Sequence, residues 1–301
     1  MTFRVTDSSS SSLIAAQIAT ARQRMAIAQE RIASGSRINR PSDDPLGAEA
    51  VIRLRTSQTE VEQFRRNAGL AEDRLKAADV TIDDYQKSLD RARTLVLQGA
   101  NDVTTPEARQ NLATELEGIR QQMKALANAT HQDQFVFGGT RQNVPPYDAN
   151  FAPAAGAAAP SLLQIEPQSD PLQTGVTADK VFADATGDVF DALQAVITAL
   201  RGTGDAETDK IAVTTGLDRL KSLADQAGVA RTRIGASLSH VETVTDRLGE
   251  ISLDRQASIE RVSGADLAES ALALNAAQRD IEAILQANNP NRRRSLLDFL
   301  G

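Results

Sequence analysis

The spacing of apolar positions predicts a chain built mainly from long helices. Ile14, Ile18, Ala21, Met25, Ala28 and Ile32 follow alternating steps of four and three, the 3.5-residue repeat of a coiled-coil seam. Ser11 or Ser12 is the expected N-cap. The pattern stops near Gly35, ahead of Arg40-Pro41-Ser42-Asp43-Asp44-Pro45, a turn-rich stretch whose prolines exclude a helix. A second seam holds the repeat without a slip through Val61, Phe64, Ala68, Ala71, Leu75, Ala78, Ile82, Tyr85, Leu89, Ala92 and Val96. Extended back to Leu46, it predicts a helix of about 50 residues, roughly 75 Å long at 1.5 Å per residue. A stripe of that length needs partner helices.

Thr105-Pro106-Glu107 restarts the chain, with Thr as N-cap, Pro at the first helical position and an acid in the first turn. Leu112, Leu116, Ile119, Met123 and Leu126 give a third seam. From Phe135 the character changes. Phe135-Val136-Phe137 reads as a short strand entering the turn at Gly138-Gly139, and Leu162–Ile165 and Lys180-Val181-Phe182 are further strand candidates. Residues 135–185 are expected to form a small β-containing insert.

Helical pattern returns with Val189, Leu193, Val196, Ile197 and Leu200. A long seam then runs from Val213 to Leu248, interrupted by Arg231 and Thr245, as polar seam positions that set register are. Ser263-Gly264-Ala265-Asp266 is an N-cap signature for a last helix with Leu267, Ala271, Leu274, Ile281 and Leu285 on its seam. The two halves mirror one another, so first and last helices should pair, and likewise the two long ones. The predicted fold is mainly α: an elongated antiparallel helical bundle or coiled coil formed by the N- and C-terminal halves, with a small β-containing insert domain. The expected domains are 1–45 plus 262–301, 46–134 plus 186–261, and 135–185.

Composition supports long packed helices over a globular core, since aromatics are 3% and charged residues 24%. A net charge of -7 argues against nucleic acid, whose phosphates require a basic surface. Without Cys there is no disulfide framework, thiolate metal site or Cys nucleophile. No apolar run approaches the roughly 20 residues that span a bilayer, so no membrane insertion is expected. The N-terminus lacks the apolar core of a signal peptide.

Candidate chemistry is sparse. Asp43 and Asp44 could be a carboxylate pair or a Ca²⁺ site, but flanking prolines and no further ligand spacing favour a solvated turn. His131 and His240 lie outside any metal-ligand pattern, and Gly138-Gly139 is followed by no Lys-Ser/Thr of a phosphate loop. No nucleophile–base set is visible. Catalytic, metal and cofactor sites are therefore expected to be none.

Particular residues resemble the flagellin family. Arg31-Ile32-Ala33-Ser34-Gly35-Ser36-Arg37-Ile38-Asn39, followed by Ser42-Asp43-Asp44 and Gly47, is similar to that family's N-terminal signature, and Arg261-Val262 with Ala265-Asp266-Leu267-Ala268-Glu269 is similar to its C-terminal block. The resemblance covers about residues 1–140 and 210–301. Phe3-Arg4-Val5-Thr6 and Phe137-Gly138-Gly139-Thr140 with Asn143, Pro145-Pro146 and Tyr147 are similar to the branch that joins hook to filament. A filament subunit is the competing reading, and a cytoplasmic coiled-coil adaptor the reading from another class.

The resemblance implies a structural subunit, exported by a type III apparatus without a cleaved signal, that polymerises through its terminal helices. The expected interface residues are Ile14, Ile18, Met25, Ile32, Leu267, Leu274, Ile281 and Leu285 from the terminal seams, with Arg37, Asn39, Asp43 and Asp44 from the segment that the resemblance places against the adjacent ring. Its implied partners are further copies of itself in a ring, an adjacent hook-associated protein, flagellin, and an export chaperone on the C-terminal region.

Overall fold

The computed structural model describes residues 3–101, 104–156, 158–167, 169–202 and 205–293; the apolar cluster Leu296–Leu300 lies outside them. Among the described residues are seven helices and three two-stranded antiparallel hairpins. The chain divides into two compact units, one of residues 1–60 with 251–301 and one of residues 61–250.

The terminal unit holds α1 (Phe3–Ser34) and α7 (Leu267–Arg293), which pack on each other, with the start of α2 (Pro45–Gly99) and the end of α6 (Ala206–Ser263). Helix α1 begins at Phe3, well ahead of the N-cap expected at Ser11 or Ser12. Serines cost little within a helix, so a polar run does not mark its end. At the other end the chain leaves α1 through Gly35, whose φ of 65° is the left-handed conformation that glycine adopts without strain.

The larger unit is built on α2 and α6. Ten of the eleven α2 seam positions from Val61 to Val96 are buried, and Phe64 is half-buried. Facing them, Val213, Leu220, Ala227, Ile234, Val241 and Leu248 of α6 are buried. Arg231 sits half-buried in the α6 seam, its Nε 3.0 Å from Asp79 and its Nη1 2.6 Å from Asp83, both on α2. One guanidinium bonded to two carboxylates a helical turn apart fixes the register of the helices. Helix α3 (Pro106–Ala127) starts as expected, with Thr105 accepting the Ala108 N–H at 3.2 Å and Pro106 at its first position.

The insert is small and loop-rich. Its hairpins pair β1 (Thr130–His131) with β2 (Gln134–Phe135), β3 (Leu162–Leu163) with β4 (Leu172–Gln173), and β5 (Ala183–Asp184) with β6 (Gly187–Asp188). Val181 and Phe182 belong to a single helical turn, α4 (Asp179–Phe182), where a strand was expected. Both are buried, whereas a half-buried strand would expose one of two neighbours. Gly139 has φ 56°, and a Cβ there would overlap the Ala159 carbonyl.

Aromatic residues are few but concentrated. Both tyrosines and four of the eight phenylalanines form one cluster of Tyr85, Phe137, Tyr147, Phe151, Phe182 and Phe190. Phe190 opens α5 (Val189–Leu200), which packs on α3. The Arg120 guanidinium of α3 closes the cluster, 3.7 Å from the Phe151 ring centre, while its Nε donates to the Phe190 carbonyl at 3.1 Å. This cluster attaches the insert to the helices of its own unit.

Candidate assembly interface

Uncovered apolar side chains are concentrated in the terminal unit. Among the described residues, nine of the fifteen exposed large hydrophobics belong to it: Leu13, Ile27, Ile32, Leu46, Ile52, Leu253, Leu267, Leu272 and Leu285. The contact between α1 and α7 is made on small residues, because Ala21, Ala28, Ser270 and Ala277 are its buried positions. Ile14, Ile18 and Met25 of α1 and Leu274 and Ile281 of α7 are half-buried beside them. Ile32 is 38% exposed, and Leu267 and Leu285 are each 55% exposed. The seam on α7 therefore runs through Ser270, Leu274, Ala277, Ile281 and Ile284, keeping Leu274 and Ile281 of the expected seam and replacing Ala271 and Leu285 by the residues just before them.

The remaining expected interface residues, Arg37, Asn39, Asp43 and Asp44, lie in the connector from α1 to α2, which pairs with the connector from α6 to α7. Ser36 and Gly264 form an antiparallel bridge; the Arg37 N–H donates to the Ser263 carbonyl at 2.6 Å, and the Ala265 N–H to the Gly35 carbonyl at 3.0 Å. Asp43 folds the connector on itself, accepting the N–H groups of Asn39 at 3.0 Å and Arg40 at 2.8 Å. The Asn39 amide donates to the Ser36 carbonyl at 3.1 Å. Asp44 caps α2 by accepting the Gly47 N–H at 3.0 Å, and its other oxygen meets Arg37.

These hydrogen bonds set the electrostatics. The N–H groups of Arg40 and Asn39 hold the Asp43 carboxyl below its ordinary range, and the Gly47 N–H, helped by Arg37, does the same for Asp44. Each carboxylate is used in closing a turn or starting a helix. The Asp-Asp pair is thus a folding device, and among the described residues no group of three His, Cys, Asp or Glu is placed to hold a metal. Among those residues, too, no helix is long and apolar enough to cross a membrane.

Residues 6–141 match the model of the bacterial flagellin N-terminal helical region. Over that stretch the chain is similar to the flagellin superfamily. It is 25% identical over 239 residues to flagellar hook-associated protein 3 of Escherichia coli, an alignment covering 73% of this chain and 75% of that one. It is 24% identical over 251 residues to a flagellin of Listeria monocytogenes, covering 81% and 80%. The flagellar hook-associated protein 3 of Legionella pneumophila shares the fold at a TM-score of 0.62 and 14% identity, over 70% of this chain and 98% of that one. The family's signature residues thus have concrete tasks here. Gly35 ends α1, Asp43 and Asp44 shape the connector, and Asp266 caps α7 by accepting the N–H groups of Ala268 at 2.8 Å and Glu269 at 3.0 Å.

Ala273, Ala276, Ile27 and Leu272 on the terminal pair are absent from the interface read from the sequence. Their exposure is visible only once the close, alanine-based approach of α1 to α7 is known.

Proposed function

We propose that the chain is a structural subunit of the bacterial flagellum that joins hook to filament and polymerises through its terminal helices. The carrying observation is the set of exposed leucines and isoleucines on the α1–α7 pair, on a chain similar to a hook-associated protein across most of its length. A fully exposed leucine gains about 1.5–3 kcal/mol on burial. Several such side chains covered by neighbours would offset the cost of ordering two helices joined by a small-residue seam.

In this reading residues 1–45 plus 262–301 form the assembly domain, 46–134 plus 186–261 the long helical domain, and 135–185 the insert. The twelve interface residues act in two groups. Ile14, Ile18, Met25, Ile32, Leu267, Leu274, Ile281 and Leu285 supply apolar area, while Arg37, Asn39, Asp43 and Asp44 hold the connector against the next subunit. The chain forms a ring with copies of itself between a hook-associated protein and flagellin. It leaves the cell by type III export without a cleaved signal, held before export by a chaperone on its C-terminal region. It has no catalytic role.

The likeness to Listeria flagellin over a similar span favours a second reading, a filament subunit. A deletion strain separates the two. Intact hooks, absent filaments and flagellin released as monomer support the junction role. Loss of the bulk protein of sheared filaments supports the filament subunit, and a cytosolic pool with normal filaments contradicts both.

A further inference from the structure

We propose that a cavity between the insert and the start of α5 binds a small aliphatic diamine, an apolar stem with an ammonium group at each end. The cavity has a volume of about 480 Å³ and belongs to the larger unit, so its ligand is independent of the assembly role proposed above. Phe137, Pro146, Pro153 and Ala178 form an apolar wall, and three carboxylates, Asp179, Asp188 and Asp191, line the same space. The other charged group in the lining is Arg141, whose guanidinium donates to the carbonyls of Ala155 and Gly156. Two cations act from outside the lining. Lys180 lies 3.6 Å from Asp179, and Arg219 donates to the Asp188 backbone carbonyl at 3.2 Å. Within the cavity three carboxylates face one engaged guanidinium, a balance that favours a cation.

Tyr147 points to a polar occupant independently. It is 3% exposed and lines the cavity. Its backbone is bonded in both directions to the Asn128 side chain, but its hydroxyl has no hydrogen-bond partner among the described residues. A buried hydroxyl left in that condition is costly. Burial, and then the charges of Asp188, Asp179 and Asp191, raise the phenol well above its ordinary pKa. The hydroxyl therefore stays protonated, within the field of the three carboxylates that line the cavity. Its oxygen can accept from an ammonium, which has only donors.

The spread of the acids decides between kinds of cation. Among the described residues no group of three His, Cys, Asp or Glu is placed to hold a metal, so the carboxylates do not converge on one inorganic ion. A single ammonium is a point charge too and meets the same limit. Two ammonium groups can reach separate carboxylates while the stem between them lies along the apolar wall. Burial also raises the Asp188 carboxyl; its charge is kept at a cost that a bound ammonium offsets.

Isothermal titration calorimetry of the full-length protein with cadaverine tests the proposal. Tyr147→Phe removes a hydroxyl that bonds to nothing in the protein, and Asp191→Asn alters an exposed side chain while leaving its capped N–H in place. The expected result is one cadaverine bound per chain, weaker binding of pentylamine, and no binding of pentanediol or magnesium. Each variant should lose about tenfold or more in affinity, with a urea midpoint no lower than wild type.

No binding of cadaverine at millimolar concentration would overturn the proposal. Pentylamine, pentanediol or magnesium binding as tightly as cadaverine would overturn the choice of ligand. Unchanged affinity in both variants would put the cadaverine elsewhere on the chain and overturn the site.

Discussion

Arg37 and Asp44 meet at 3.2 Å across one connector, and the same guanidinium nitrogen donates to the Val262 carbonyl at 3.0 Å. Arg37 thus ties the start of α2 to the end of α6 within the terminal unit. Arg37→Ala should speed amide exchange at residues 36–48 and 262–266 while leaving total helicity by circular dichroism unchanged. Arg37→Lys should restore part of the protection, because one nitrogen serves both acceptors and an ammonium has three N–H donors, although on a shorter side chain. Unchanged exchange in Arg37→Ala would show that the backbone bridge alone holds the connectors.

The connector should also respond to acid. Asp43 and Asp44 have folded pKa values lowered from 3.8 by the N–H groups they accept. Their contribution is complete above the unfolded value and is lost as pH falls through the folded one. Backbone chemical shifts of residues 36–48 should therefore be constant from pH 7 to pH 5 and move below about pH 4. Asp43→Asn and Asp44→Asn should each reduce that movement. A transition centred near neutral pH would contradict the assignment.

Asp188 predicts the opposite sign. Burial, reinforced by the nearby Asp191, raises its pKa although its Oδ1 caps α5 through the Asp191 N–H at 2.9 Å. A raised carboxyl stabilises the fold below its unfolded pKa, and that stabilisation is lost as pH rises through the folded value. Asp188→Asn retains an oxygen for the cap and removes the buried charge. Its urea midpoint at pH 7 should exceed wild type, and its stability should vary less between pH 4 and 6. A lower midpoint would show that the charge is needed by the helix end.

Phe182 is fully buried and touches the rings of Tyr85, Phe137 and Tyr147. Phe182→Ala should cost about 3–5 kcal/mol in urea unfolding of the larger unit. Leu272→Ala should change monomer stability by less than about 0.5 kcal/mol, because Leu272 is 68% exposed. A large loss in the second variant would mean that Leu272 is covered within the monomer.

Long seams were legible in the sequence because their period repeats often enough to leave one reading. The α2 positions from Val61 to Val96 are buried almost without exception, and the cap at Thr105 stands where the signature places it; at α7 the signature is offset, since Asp266 itself caps the helix and Ser263 ends α6. Arg231 is the polar seam residue that sets register, as its spacing implied. Short or mixed patterns were less informative. Lys180-Val181-Phe182 is too brief to reveal a period, and it forms a helical turn.

The α7 seam misled for a different reason. Reading it through the largest apolar residues assumes that these are buried within the chain, whereas Ser270 and Ala277 make the contact and Leu267 and Leu285 stand out from it. In the proposed assembly those leucines are kept for neighbouring subunits. Their spacing along the chain cannot be told from that of an ordinary intramolecular seam.

The central claim is that α1 and α7 gain most of their stability from other subunits. Hydrogen exchange followed by mass spectrometry on full-length protein, as monomer and as sedimented polymer, tests it most directly. Residues 14–32 and 267–285 are predicted to exchange fast in the monomer and to be strongly protected in the polymer, with residues 61–96 protected in both. Strong protection of both terminal segments in the monomer, unchanged on assembly, would contradict it.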